Sequence, residues 1–131
     1  MSLSEEERLV LVRREYEKAL LCIEQAEANA QLTYWDVVAN RLYYALFHAV
    51  SSLFIHDGHK VGTHKGAVMS FGMHYVQTGI FSKEQGRVYA QMQTMREKAD
   101  YTCSFDAAGI DMNERMDKVK EMIGKIGELI K

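Results

Sequence analysis

Three side chains able to handle phosphate or protons stand in one short run: Arg41, Tyr44 and His48. On a helix, their i, i+3, i+7 spacing stacks them along one side. A guanidinium can steady charge developing on a phosphoryl group, and an imidazole transfers protons near neutral pH. Two further groups could contribute. His64 and Lys65 open a short helix, where free backbone N–H groups also favour anions. Arg96, Asp100 and Tyr101 fall in the run Arg96-Glu-Lys-Ala-Asp-Tyr101 near the end of a fourth long helix. The candidate ligand contacts are therefore Arg41, Tyr44, His48, His64, Lys65, Arg96, Asp100 and Tyr101.

A purely structural account competes with this one. A buried arginine is costly unless paired, and Asp100 is the nearest acid by pattern, so Arg41 and Asp100 could form an internal ion pair. His48 would then be a satisfied core histidine, and His64 and Lys65 a solvated cap. The remaining histidines, His56, His59 and His74, have no cysteine or acidic companion at a familiar ligand spacing. Neither a metal nor another cofactor is expected.

These residues need a scaffold, and the apolar periodicity describes one. The second helix is expected from Thr33 to Asp57, closed by Gly58; Leu42, Tyr43, Leu46, Phe47, Val50, Leu53 and Phe54 leave it no wide polar face. Such a helix belongs in the centre. Before it, Leu9, Val12, Tyr16, Ala19, Ile23, Ala26 and Ala30 form one stripe of a helix opened by Ser4 and Glu7 as a capping box. After a loop over 57–63, a short helix is expected from His64 to Gln77, with Gly66 and Gly72 inside it. Each costs about 1 kcal/mol relative to alanine, which suggests close approach by a helix or ligand. A fourth main helix opens at Ser82 and Gln85, runs to about Lys98 and points Val88, Met92, Met95 and Ala99 inward. The last, from Asp111 to Lys131, carries Met112, Met116, Val119, Ile123, Ile126 and Ile130. The fold class is all-α: an up-and-down bundle of four main helices plus an additional short helix, in a single domain over residues 1–131.

Composition narrows the function classes. The 131-residue chain has 47% hydrophobic and 26% charged residues, as a globular domain should, and no proline. A formal net charge of −2 supplies no field for wrapping DNA. Cys22 and Cys103 lack zinc-site spacing and are expected to be buried thiols. The acidic start, MSLSEEER, is unlike a signal peptide, and the stretch Leu42 to Ile55 falls short of a membrane span. A cytoplasmic protein is expected. Tyr16, Tyr34, Trp35, Tyr43, Phe47 and Phe54 are placed mostly in the core, and the Met-rich last helix is either core or an adaptable partner surface.

Three fragments in order, Asn40-Arg-Leu-Tyr-Tyr-Ala-Leu-Phe-His-Ala49, Thr63-His-Lys-Gly66 and Arg96-Glu-Lys-Ala-Asp-Tyr101, carry a resemblance. Over roughly residues 8 to 130 the chain resembles the HEPN domain, named for higher eukaryotes and prokaryotes nucleotide-binding. The resemblance implies the same helix count, a homodimer, and often a nucleotidyltransferase partner encoded beside the gene as toxin and antitoxin. Many such domains are metal-independent endoribonucleases using an Arg followed, after four to six residues, by a His. Arg41 and His48 satisfy that spacing. Toxin members often carry the pair late in the chain, however, where Arg96 is followed at the corresponding position by Tyr101. The resemblance thus implies first an accessory domain binding a nucleotide or RNA phosphate beside a nucleotidyltransferase. An active ribonuclease comes second, and a non-catalytic dimerisation module third.

Overall fold

The computed structural model describes residues 3–60, 62–101, 105–107 and 110–131. Except for the second, its α-helices begin where short polar side chains take up free backbone donors. At α1 (Glu5–Gln31), the Ser4 hydroxyl accepts from the Glu7 N–H at 3.1 Å, and the Glu7 carboxylate accepts from the Ser4 N–H at 3.2 Å. Ser82 and Gln85 repeat that reciprocal pair at α4 (Lys83–Tyr101), and Asp111 accepts from the Glu114 N–H at α5 (Met112–Leu129). Each bond satisfies a donor that a helix start would otherwise leave open. The centre is α2 (Trp35–Asp57), which ends on Gly58 at φ +82°, a left-handed conformation that glycine adopts without a Cβ clash.

The apolar girth of α2 dictates the packing. Val38, Ala39, Leu42, Tyr43, Leu46, Ala49, Val50, Leu53 and Phe54 are all at most 1% exposed. They are covered by α1 along one side, by α4 and α5 on the others, and by α3 (His64–Phe71). The result is an all-α up-and-down bundle of four long helices and a short one. One strip of α2 stays open, running Val37, Arg41, Tyr44, His48 and Ile55. No helix among the described residues is long and apolar enough to cross a membrane.

Several local expectations change. Leu9 is 48% exposed rather than part of the inward stripe of α1. Three residues on a helix leave a step about 60° short of a full turn, which carries Leu9 round from Val12 toward solvent. The fourth helix continues three residues past Lys98, to Tyr101. After Phe71 the short helix widens into a π-helical turn, Gly72–Val76, closed by the Gln77 N–H donating to the Gly72 carbonyl at 2.9 Å. A Cβ on Gly72 would meet nothing, so no close approach explains that glycine. At Gly66 a Cβ would lie 2.9 Å from the hydroxyl of Thr63, the cap of its own helix. Met112 and Met122 are buried, which makes the methionines of α5 core rather than partner surface; Tyr34 is exposed, unlike the other five aromatics singled out. Cys22 is buried, while Cys103 lies outside the described residues.

The seam between α1 and α5 depends on one missing side chain. The Tyr16 hydroxyl donates to the Ile123 carbonyl at 3.0 Å, and a Cβ on Gly127 would collide with the Tyr16 hydroxyl and ring. Gly127→Ala should lower stability by about 1–3 kcal/mol through overpacking. Gly124→Ala, where a Cβ meets nothing, should be neutral or gain up to about 1 kcal/mol from helix propensity. Equal midpoints for the two variants in urea would show that Tyr16 does not pack as described.

Candidate functional site

Where α2, the start of α3 and the C-terminal half of α4 meet, they leave an open cleft of about 870 Å³. Tyr44, His64, Lys65, Arg96 and Tyr101 line it together with Thr63, Gln93, Thr94, Glu97 and Lys98. Five of the eight residues singled out in the sequence therefore share one surface. Arg41 and His48 lie beside Tyr44 on the open strip of α2 but turn toward α1. Asp100 sits behind, held by Asn40. A second hollow, about 450 Å³, lies across α4 among Ala90, Met95, Phe105 and Ile110 and brings together none of these eight.

Arg96, not Arg41, is the buried cation. It is 6% exposed, and its guanidinium carbon lies 4.9 Å from the ring centre of Tyr43, 5.8 Å from Tyr44 and 5.9 Å from Tyr101. Aromatic faces attract a cation through their quadrupole, which offsets part of its desolvation. Its carboxylate partner, Asp100, is one turn on at 3.8 Å, too far for a hydrogen bond. Among the described residues the Nε of Arg96 has no hydrogen-bond partner. A buried donor in that state costs about 1–3 kcal/mol.

Arg41 is half-buried and does not pair with Asp100. Asn40 stands between them: its amide nitrogen donates to both Asp100 oxygens at 3.0 and 3.1 Å, and its amide oxygen accepts from Arg41 Nε at 2.9 Å and Nη2 at 2.6 Å. Gln25 of α1 accepts from Nη1 at 3.1 Å. The expected internal ion pair is thus replaced by a relay through a neutral amide, because neighbouring residues on a helix fan out by about 100° and Asn40 is the one turned to α4. Neutral acceptors fix the guanidinium without cancelling its charge.

Both candidate-site histidines, His48 and His64, have Nδ1 engaged. His48 Nδ1 lies 2.7 Å from the Glu15 carboxylate, with both side chains partly open to solvent. His64 Nδ1 lies 2.6 Å from the Tyr43 hydroxyl. Burial, and then the positive charge of Arg96, push the proton affinity of His64 below the ordinary histidine value, while burial pushes the Tyr43 phenol up to about 12. His64 is therefore held toward its neutral form, and the positive charge at this helix start is that of exposed Lys65. Sequence reasoning missed Glu15, Asn40, Gln25 and Gln93, and placed Tyr43 only in the core. Asn40 alone carried a local signal, lying beside Arg41 in the run the family shares.

The helix count, the all-helical topology and a cationic, aromatic-lined cleft between the second and fourth helices define the class, an all-α helical bundle with an open polar cleft. Comparison with known families matches the HEPN domain over residues 12–131, and the chain belongs to that family. A UPF0332 protein of Thermotoga maritima is 31% identical over 99 residues, 76% of this chain and 74% of the relative. A protein of Methanocaldococcus jannaschii, named only as a candidate toxin, is 36% identical over 69 residues, 53% of this chain. A UPF0332 protein of Pyrococcus horikoshii is 28% identical over 89 residues, 68% of this chain. The matches span 51% of the Methanocaldococcus protein and 55% of the Pyrococcus one.

The depressed proton affinity of His64 sets a pH dependence. The unfolded chain binds a proton at this position near the ordinary value of 6.5, and the folded chain only at lower pH. In that interval the unfolded state holds more protons, so stability rises with pH and is lost as pH falls through the interval. His64→Gln, which cannot titrate, should flatten the stability curve below about pH 6.5. An unchanged acid slope in chemical denaturation would rule out His64 as its source.

Proposed function

We propose that the chain binds a phosphate group of a nucleotide or RNA in the cleft between α2 and α4, as the HEPN component of a toxin–antitoxin-like pair in the cytoplasm. The observation that carries this reading is Arg96, a buried guanidinium at the cleft with an unpartnered Nε and only a loose carboxylate. A phosphate in the cleft would supply the missing counter-charge. Lys65 extends the cationic rim, and Tyr101, 76% exposed, offers a face on which a base can stack. Kinship with a protein named as a candidate toxin supports the toxin-like setting. A nucleotidyltransferase partner completes the proposal, and co-purification of the two chains after co-expression is the measurement that decides it.

A homodimer belongs to the same proposal. Leu9, Val10, Leu20 and Leu21 are each 42–51% exposed on α1, more aliphatic surface than one helix of a monomer usually shows. A strict monomer in light scattering at tens of micromolar would remove that part. A second reading, metal-independent RNA cleavage by Arg41 and His48, is favoured by the Glu15 hydrogen bond, since a carboxylate that orients an imidazole is a recurring feature of proton-transfer sites.

A short single-stranded RNA should raise the melting temperature by mass action. Lys65→Ala and Tyr101→Ala, both at exposed positions, should reduce that rise while leaving the free chain as stable as before. Arg96→Lys, which retains the charge but loses the planar fork, should reduce it most. The absence of any rise, or a rise indifferent to all three substitutions, would refute binding in this cleft. If the chain also cleaves RNA, cleavage should survive EDTA and disappear in His48→Ala.

A further inference from the structure

The two imidazoles beside Tyr44 are wired in opposite senses. A carboxylate only accepts, so the 2.7 Å contact to Glu15 places the hydrogen of His48 on Nδ1 and leaves Nε2 with a free lone pair. At His64 the order is reversed. Burial pushes the Tyr43 phenol up to about 12 and so keeps it protonated, with the Arg96 guanidinium carbon over its ring, 4.9 Å from the centre. Among the described residues the hydrogen-bond partner of this hydroxyl is His64 Nδ1, 2.6 Å away, and a phenol that donates there leaves the ring hydrogen of His64 on Nε2. The rings flank the same two aromatics: His48 lies 5.6 Å from Phe47 and 6.3 Å from Tyr44, and His64 lies 4.6 Å and 5.8 Å from them, centre to centre. One ring presents an acceptor and the other a donor.

We propose that His64 is a second catalytic residue, a neutral donor positioned by Tyr43 that hydrogen-bonds a phosphate oxygen through Nε2–H, and that Glu15 positions His48 to accept the 2′-hydroxyl proton. This inference rests on the ribonuclease reading. The 2′-oxygen–phosphorus bond forms as the phosphorus–5′-oxygen bond breaks. The hydroxyl proton passes to Nε2 of His48, the leaving 5′-oxygen takes a proton from water, and His48 returns its own to solvent. The products are a 2′,3′-cyclic phosphate and a 5′-hydroxyl end, with no change of oxidation state. Charge accumulates on the phosphate oxygens as the new bond forms, so a fixed donor there acts mainly on the transition state. A neutral donor suits a place beside Arg96 because a second full cation would repel the first. The tyrosine relay secures that state in the same way that the carboxylate secures its opposite at His48.

The full chain labelled with nitrogen-15 allows the wiring to be read directly. Long-range proton–nitrogen spectra at neutral pH should show Nδ1–H for His48 and Nε2–H for His64; Glu15→Ala should release the first tautomer and Tyr43→Phe the second. Cleavage of a single-stranded RNA in EDTA should fall at least about 100-fold in His48→Ala and about 10- to 100-fold in His64→Ala. His64→Gln, whose amide still donates, should recover most of the rate through kcat. A hydrogen on Nδ1 of His64 would overturn the proposal whatever the kinetics. So would a His64→Ala variant as fast as wild type beside an inactive His48→Ala, an outcome that leaves the ribonuclease reading standing. Wild-type chain that leaves RNA intact would end both.

Discussion

A 23-residue helix with apolar side chains on nearly every side is stable in water only if its neighbours cover it. Each large apolar side chain moved inside contributes about 1.5–3 kcal/mol, and α2 contributes more of them than any other helix. That requirement draws α1, α4 and α5 around it, and it confines the polar chemistry of α2 to a single strip. Arg41, Tyr44 and His48 can exist on such a helix only along the line where the covering helices part. The neighbours at that line, Glu15 and Gln25 from α1, supply the polar partners that a half-buried imidazole and guanidinium demand, while Asp100 from α4 holds the Asn40 amide that also bonds Arg41.

Arg96 departs from the general rule of satisfied burial. Three aromatic rings and a distant carboxylate stabilise its charge, yet one donor is left without an acceptor in a region where unpaired donors are expensive. A structural arginine would be expected to make a close bidentate pair, and replacement of such a residue by a well-packed apolar one is often neutral or stabilising. Retaining a poorly paired guanidinium is understandable if it serves an anion that arrives from outside. The aromatic walls fit the same purpose, since they hold the plane of the guanidinium without consuming its hydrogens.

The sequence made the scaffold legible because the scaffold depends on short-range signals. Ser4 with Glu7, Ser82 with Gln85, Asp111 with Glu114 and Gly58 are local devices, and the apolar girth of α2 is visible in one run of residues. Leu9 and the π-helical turn at Gly72–Val76 escaped because small angular offsets decide them, and tertiary packing sets those offsets. At the site, the run around Arg41 and the run around Arg96 could each be read, but not which arginine is buried. Asn40 shows why: whether Arg41 reaches Asp100 depends on a neighbour whose side chain points about 100° away, across a separation of sixty residues in sequence. Glu15 was beyond reach for the same reason, lying thirty-three residues from the imidazole it holds.

Charge distribution adds a constraint on what the cleft can accept. The chain as a whole carries a formal charge of −2, with Glu5, Glu6 and Glu7 together at the start of α1. At physiological salt, exposed charges act over about 8 Å, so the cations of the cleft are felt mainly by a group that comes close to them. A rigid duplex presents its phosphates in rows along a convex surface and is poorly shaped to bring one of them to a guanidinium only 6% exposed. A flexible strand or a single nucleotide can bring one phosphate between Lys65 and Arg96 while its base lies against Tyr101. On the proposed phosphate reading, binding would be restricted to ligands able to reach a buried guanidinium, with selectivity arising from depth and flexibility rather than from total charge.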